Sequence, residues 1–225
     1  HIAEIDKIQI CLDKRKLLKH AAQIGFNIPI SWNFNSFDEF IEKKHDIKFP
    51  VITKAIGELN KQEVIYHNNL TQLSNFLKEN ISTIGNVLIQ QRILGVGYGF
   101  FATYKNGEIF NYFMHKRVRE IPRSGGSSTC AVSFFDEKLY KSGTELLDSL
   151  NWHGVAMVEF KKCSKTGEFY LMEINPKFWG SHDLAISCGK NFANDILQID
   201  STDKFPIKNN YQIDIKFQWP FDDFR

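Results

Sequence analysis

Glu159, Glu173 and Asn175 are the side chains in this sequence whose placement most needs a chemical explanation. Residues 168–175 read as a strand. Its alternation puts Leu171, Glu173 and Asn175 on one face and Met172 and Ile174 on the other. A core-facing strand has no structural reason to carry a carboxylate and then an amide beside a leucine. Residues 154–161 read as its partner strand, with Glu159 on a face shared with Val155 and Met157. Between the two, Lys165-Thr166-Gly167 fits a three-residue hairpin loop with Gly167 in the left-handed conformation. That loop sets Glu159 opposite Glu173, with Cβ atoms roughly 5 Å apart. Like charges so placed repel. One of them should then hold a proton more readily than a free glutamate, and removing either charge should relieve the repulsion. A cation between them would remove the conflict. Magnesium suits such a place, because it takes hard oxygen ligands from one or two carboxylates and completes its shell with water and phosphate. The competing reading is a pair of solvent-facing glutamates, and a one-residue slip in register would separate them.

Lys54 is the second candidate. It lies within Phe49-Pro50-Val51-Ile52-Thr53-Lys54-Ala55, an apolar strand whose hairpin partner is read at 63–66. A lysine there needs either an anion, which phosphate would supply, or a route for its ammonium to reach water.

The elements that must position these residues follow from periodicity. An apolar stripe of Leu17, Leu18, Ala21, Ala22 and Ile24 marks a helix over 13–24, stopped by Gly25. Ser36 caps a helix over 37–44, and a further helix over 69–79 buries Leu70, Leu73, Phe76 and Leu77. A small α+β unit therefore ends near Gly85. A second unit opens with the strand Val87-Leu88-Ile89. It continues with strands at 98–104 and 109–117, joined through Lys105-Asn106-Gly107, and another at 129–135. Leu139, Leu146, Leu147 and Leu150 give a helix its inner face, and a last helix covers 183–198. The expected class is α+β with mainly antiparallel sheets, divided at 1–86 and 87–225. Little is legible after Asp200.

Composition narrows the function classes. The net charge is +2 and the lysines are scattered, which argues against nucleic acid or a membrane surface as partner. No run approaches the ~18 apolar residues of a membrane span. His1-Ile2-Ala3-Glu4 has neither the basic nor the apolar part of a signal peptide. Cys11, Cys130, Cys163 and Cys188 show no C-x-x-C spacing, so reduced thiols in a cytoplasmic protein are expected rather than a zinc site or disulfides.

Several stretches resemble a known family. Met172-Glu173-Ile174-Asn175-Pro176-Lys177-Phe178-Trp179-Gly180-Ser181 is similar to the E-[IVM]-N-P-R-x-x-G-S stretch of ATP-grasp enzymes. Gly154-Val155-Ala156-Met157-Val158-Glu159-Phe160 resembles the glutamate strand that precedes it there. Phe49-Pro50-Val51-Ile52-Thr53-Lys54 is similar to the family's P-[VL]-[IV]-[IV]-K strand. Asp13-Lys14, followed by a helix and Gly25-Phe26-Asn27-Ile28-Pro29, resembles its opening segment. The four occur in the family's order over 13–200. His115-Lys116-Arg117-Val118-Arg119-Glu120-Ile121-Pro122 with Gly125-Gly126-Ser127 resembles the carbamoyl-phosphate-synthetase-like, carboxylate–amine ligase branch.

The resemblance implies an ATP-grasp fold, in which two α+β subdomains grip ATP between antiparallel sheets. It also implies an N-terminal Rossmann-like domain that is absent from this chain, cut off or carried on another chain; without it, these residues should bind nucleotide and turn over poorly. The implied cofactors are ATP with Mg2+ or Mn2+. Lys14 and Lys54 would contact phosphates, although a lysine in the first turn of a helix is usually plain surface. Ile89-Gln90-Gln91-Arg92-Ile93 would form the hinge, with the backbone of Gln91 and Ile93 on the adenine edge and Gln90 beside it. Glu159, Glu173 and Asn175 would hold the metal, Arg117 would face the γ-phosphate, and Lys177 would lie near the transferred phosphoryl group. The implied reaction activates a small-molecule carboxylate as an acyl phosphate for attack by an amine, with release of ADP and phosphate.

Departures from the pattern support a second reading, an ATP-binding module with little or no turnover and a regulatory or assembly role. The loop after Lys54, Ala55-Ile56-Gly57-Glu58-Leu59-Asn60-Lys61, has one glycine where the family has several. Gly97-Tyr98-Gly99 replaces the carboxylate that often holds the ribose. Lys177 stands where arginine is usual and lacks its planar, two-pronged contact.

Overall fold

The computed structural model describes residues 1–55, 64–80, 82, 87–121, 127–201 and 210–223. Two antiparallel sheets form among them. The first runs in the order β1 (Ser31–Trp32), β4 (Val87–Gln91), β2 (Val51–Ala55), β3 (Ile65–His67). Alternation turns Val51, Val87 and Ile89 to one face. There they pack on Phe40 of α3 (Phe37–Lys43) and on Leu73 and Leu77 of α4 (Leu70–Glu79). Both helices start on a side-chain cap, Ser36 accepting from the Glu39 N–H and Asn69 from the Gln72 N–H. The opposite face carries Lys54 and Gln90, whose side chains are hydrogen-bonded to each other.

The second sheet runs β10 (Lys216–Gln218), β7 (Ser127–Ser133), β6 (Glu108–Ile121), β5 (Gly95–Lys105), β8 (Gly154–Cys163), β9 (Phe169–Asn175). One face buries Phe100, Ala102, Met114, Val158 and Ile174 beneath α5 (Glu137–Ser149) and Trp152. The other is covered in part by α6 (His182–Ser187) and α7 (Phe192–Gln198), with Phe101, Phe113, Met157 and Trp179 between. The rest of this second face bears the charged residues described below.

Several expectations need correction. Val87–Gln91 does not open the second unit; it lies inside the first sheet, paired with β1 and β2, so that sheet runs past the boundary expected at residue 86. The N-terminal helices also side with the larger sheet. α1 (Ile5–Leu12) and α2 (Lys14–Gln23) both pack on β9 and send Cys11, Leu17 and Ala21 into its core. α1 escapes the sequence pattern because it is only eight residues long and fully buries Cys11 alone. The helix expected over 183–198 is two helices. Gly189, at φ +89, ends the first in a conformation that a side chain would disfavour. β10 and α8 (Pro220–Asp223) lie in the segment after Asp200, where little is legible in the sequence. Among the described residues no helix is long and apolar enough to cross a membrane.

Candidate active site

Across the second sheet, register brings one row of residues into line: Ser133 on β7, His115 on β6, Gly99 on β5, Glu159 on β8 and Glu173 on β9. The Glu159–Glu173 pairing is the expected one, but the chain reaches it by another path. The hairpin closes at Cys163, whose N–H donates to the Glu168 carbonyl at 2.9 Å, while the Gly167 N–H returns to the Cys163 carbonyl at 2.8 Å. The loop is therefore Ser164–Gly167, one residue longer than expected, with Gly167 at φ +73. A bulge then offsets the difference, because Phe160 pairs with Leu171 while Glu159 pairs with Glu173, which leaves Met172 as the extra residue. The same bulge corrects the face assignment. Leu171 joins Ile174 in the core, away from Glu173 and Asn175.

Asn175 ties the two carboxylates together. Its Nδ2 donates to Glu173 Oε1 at 3.0 Å and to Glu159 Oε1 at 3.4 Å. Cations surround them. Arg117 Nη2 donates to Glu159 Oε2 at 2.6 Å and Lys14 Nζ stands 4.0 Å from Glu173 Oε2. From the first sheet, Lys54 Nζ donates to Gln90 Oε1 at 3.1 Å, and Gln90 Nε2 donates to Ser31 Oγ at 3.1 Å.

Electrostatics divide the carboxylates as their crowding requires. Burial pushes the Glu159 carboxyl above the usual range, with Arg117 opposing and the charge of Glu173 adding to the push. Burial pushes Glu173 the same way, but the Asn175 hydrogen bond and the charges of Lys14, Lys54 and Arg117 outweigh it and hold Glu173 below that range. Burial likewise pushes the Lys54 ammonium below the ordinary lysine range, partly offset by Glu173 and Glu159. Lys54 thus feels both carboxylates of the opposite sheet, and the two sheets face one charged space.

Not every expected residue joins this cluster. Arg92 lies over the Tyr66 ring, 4.7 Å from its centroid, and Ile93 is buried beside it in sequence. The Gln91 N–H donates to the Ile30 carbonyl at 2.8 Å, so it cannot also donate to an adenine edge. Lys177 is exposed in the turn after β9. The loop 56–61 and the glycines Gly125 and Gly126 lie outside the described residues. A cavity of ≈ 420 Å³ between α2 and the first sheet is lined by Arg15, Leu18, Ile28, Trp32 and Leu88, among others. Among the described residues its lining includes no carboxylate, and it adjoins the cluster at Ser31, which accepts from Gln90, and at Leu88, paired with Lys54.

Two residues of the site were missed as such. Glu120 accepts from Arg117 Nη1 at 3.3 Å. Simple alternation would put Glu120 and Arg117 on opposite faces, and the irregularities of β6 against β7 at this point bring them together. His115 is fully buried against the Phe101 ring, and neither ring nitrogen has a hydrogen-bond partner among the described residues. Burial and then the Arg117 charge push its pKa down to about 3, so it is neutral.

The donor set can be tested against a metal. Among the described residues no three His, Cys, Asp or Glu side chains gather as a self-sufficient metal site. Two carboxylates and an amide, ringed by lysine and arginine, instead fit a small hard cation that arrives with phosphate oxygens of its own.

The fold is the ATP-grasp fold. The chain is similar to the biotin carboxylase–β,γ-ATP complex from Campylobacter jejuni, with a TM-score of 0.78 at 14% identity over 96% of this chain and 51% of that one. It is similar to the biotin carboxylase domain of Hydrogenobacter thermophilus 2-oxoglutarate carboxylase in complex with MgADP, ADP and bicarbonate, at TM-score 0.75, 13% identity, and 96% and 51% coverage. The L-amino acid ligase from Bacillus licheniformis matches at TM-score 0.63, 17% identity, and 85% and 48% coverage. The chain spans about half the length of each. No protein-family model and no curated protein matches the sequence.

Proposed function

We propose that this chain is the nucleotide-binding and phosphoryl-transfer part of a ligase that uses Mg-ATP to activate a carboxylate. The observation that carries the reading is the convergence of Glu159, Glu173 and Asn175 on one sheet with Lys54 from the other, around a space bordered by Lys14 and Arg117. Solved proteins of this fold are described with β,γ-ATP and with MgADP, which supports the same ligands here.

Phosphoryl transfer asks a protein chiefly for alignment and charge neutralisation. Lys54 and Lys14 would bind phosphate oxygens and Arg117 would face the transferred group; Lys177, exposed in the turn after β9, would reach that group from outside the cluster. Gln90 fixes the Lys54 ammonium by a hydrogen bond and so aims it. Glu159 and Glu173 would hold Mg2+ or Mn2+, and Asn175 would join them by turning its amide oxygen inward. When bound, the metal supplies positive charge to the phosphate oxygens. The substrate carboxylate attacks the γ-phosphorus, the bond to the bridging oxygen breaks, and ADP leaves; an amine then displaces phosphate from the acyl phosphate. No side-chain nucleophile is needed, and the free cysteines keep no catalytic role.

The smaller nucleotide-gripping unit centres on the first sheet and the metal-holding unit on the second. The acceptor substrates' contacts come in large part from a further domain, and the setting is the cytoplasm. The test is ADP release by the full-length gene product with pools of carboxylic acids and amines. Release that requires both members of a pair supports the ligase. ATP binding with no release in any pool would overturn it in favour of the regulatory module.

Proton linkage gives a second check. Lys54 is depressed in the free protein, and a bound phosphate raises it, so binding between those two pKa values takes up a proton. ATP affinity should then fall as pH rises through that window. Calorimetry in two buffers of different ionisation enthalpy should show uptake in the wild type and less in Lys54→Met. Equal uptake in both proteins would contradict the assignment.

A further inference from the structure

Arg117 stands on β6 and Glu159 on β8, with β5 between them. Its guanidinium nevertheless reaches Glu159 Oε2 at 2.6 Å, because β5 presents glycine along the way. A Cβ added at Gly97 would lie 2.8 Å from Arg117 Cδ and 2.8 Å from Glu120 Oε1. At Gly99 it would collide with the Phe101 ring and stand 3.1 Å from His115 Nε2. Gly97 therefore clears a lane for this arginine, while Gly99 makes room for the Phe101 ring and His115. Glu120 holds the other prong, Nη1, at 3.3 Å. Arg117, Glu120 and Glu159 are 12%, 15% and 19% exposed, so the contacts are little screened by water.

A carboxylate of the candidate metal site is thus already engaged by a cation of the chain itself. A divalent ion entering there must take Glu159 from Arg117. Once it does, Arg117 gives up its 2.6 Å contact while Glu120 still accepts from Nη1, which lowers the cost of the exchange. We propose that Arg117 is the resident counter-ion of the metal site, in competition with the metal for Glu159. Glu120 is the positioning residue that keeps the displaced Arg117 beside the site. The inference rests on the reading of Glu159 and Glu173 as metal ligands.

The test is Mn2+ binding to the free protein without nucleotide, followed by the loss of the free-ion electron paramagnetic resonance signal. Charge-assisted hydrogen bonds of this kind are worth enough that Arg117→Gln should bind Mn2+ about tenfold more tightly than the wild type. Glu120→Gln should bind it more weakly than the wild type, because loss of the Glu120 contact throws more of the Arg117 guanidinium onto Glu159. Opposite signs from two halves of one ion pair are not what general damage to the fold produces. Should Arg117→Gln fail to fold, Arg117→Lys keeps a charge but not the two-pronged reach, and is expected to bind Mn2+ more tightly than the wild type.

If Arg117→Gln binds Mn2+ no better than the wild type while Glu159→Gln and Glu173→Gln bind it worse, the competition is overturned and the metal site stands. If Glu120→Gln tightens binding as Arg117→Gln does, the positioning role of Glu120 is overturned. If neither Glu159→Gln nor Glu173→Gln changes Mn2+ binding, the metal site falls and this inference falls with it.

Discussion

Glu173→Gln is expected to remove nearly all of the magnesium-dependent stabilisation that ATP gives this protein, and Glu159→Gln to remove less. The difference follows from what each carboxylate does in the free protein. Glu173 is kept ionised by Asn175 and by the charges of Lys14, Lys54 and Arg117, so it is ready to bind a metal. Glu159 is pushed toward protonation by burial and is engaged by Arg117, so it gives less. With ATP at one hundred times its dissociation constant, the wild type should gain about 2.7 kcal/mol, which is about 5–10 °C in a chain of this size. In Glu173→Gln the shift should be the same with and without magnesium. In the free protein Glu159→Gln should be neutral or slightly stabilising, because burial and the charge of Glu173 outweigh Arg117 and disfavour the ionised carboxyl in the folded state. Thermal unfolding of the three proteins, with ATP and with or without magnesium, checks all of these outcomes. A full magnesium-dependent shift in Glu173→Gln would remove the metal from this pair.

Lys54→Met should weaken ATP binding by about 30- to 100-fold, the worth of a charge-assisted hydrogen bond to phosphate in a site that excludes water. The same change should leave the free protein as stable as the wild type or somewhat more so. The sign follows from linkage. A lysine whose folded pKa is depressed binds its proton more weakly folded than unfolded, so below that pKa its charge opposes folding. Methionine keeps the apolar stem on β2 and removes that opposition. Equilibrium binding and unfolding, measured on one preparation, should thus move in opposite directions. Unchanged ATP affinity in Lys54→Met would show that the phosphates lie elsewhere.

How much of this was legible in the sequence depends on the length of the signal. α2, α3, α4 and α5 declare themselves by apolar stripes and side-chain caps, and the long strands of the second sheet by alternation. α1 and β10 are too short to carry a period. Val87-Leu88-Ile89 reads as a strand of the second unit but lies in the first sheet, because an apolar run says that a strand is buried and not which neighbours bury it.

The site shows the same limit more sharply. A three-residue loop would set Glu159 opposite Glu173; the actual loop is one residue longer, and the bulge at Met172 restores the pairing. Alternation misplaced Leu171 for the same reason. Glu120 was passed over because a second irregularity brings it to the face of Arg117. Bulges leave almost no trace in residue types, yet each shifts every later side chain by one face. Lys14 and Lys54 were legible as candidates, but that both press on Glu173 is a property of the packed sheets.

The central claim is that the nucleotide's metal lies between Glu159 and Glu173. The most direct measurement is crystallography of the protein with Mn2+ and a non-hydrolysable ATP analogue, locating manganese by its anomalous scattering. The account predicts a single strong peak within bonding distance of an oxygen from each of the two carboxylates, with phosphate oxygens completing the shell. Manganese bound by the nucleotide alone, or by other side chains while Arg117 still holds Glu159, would contradict it.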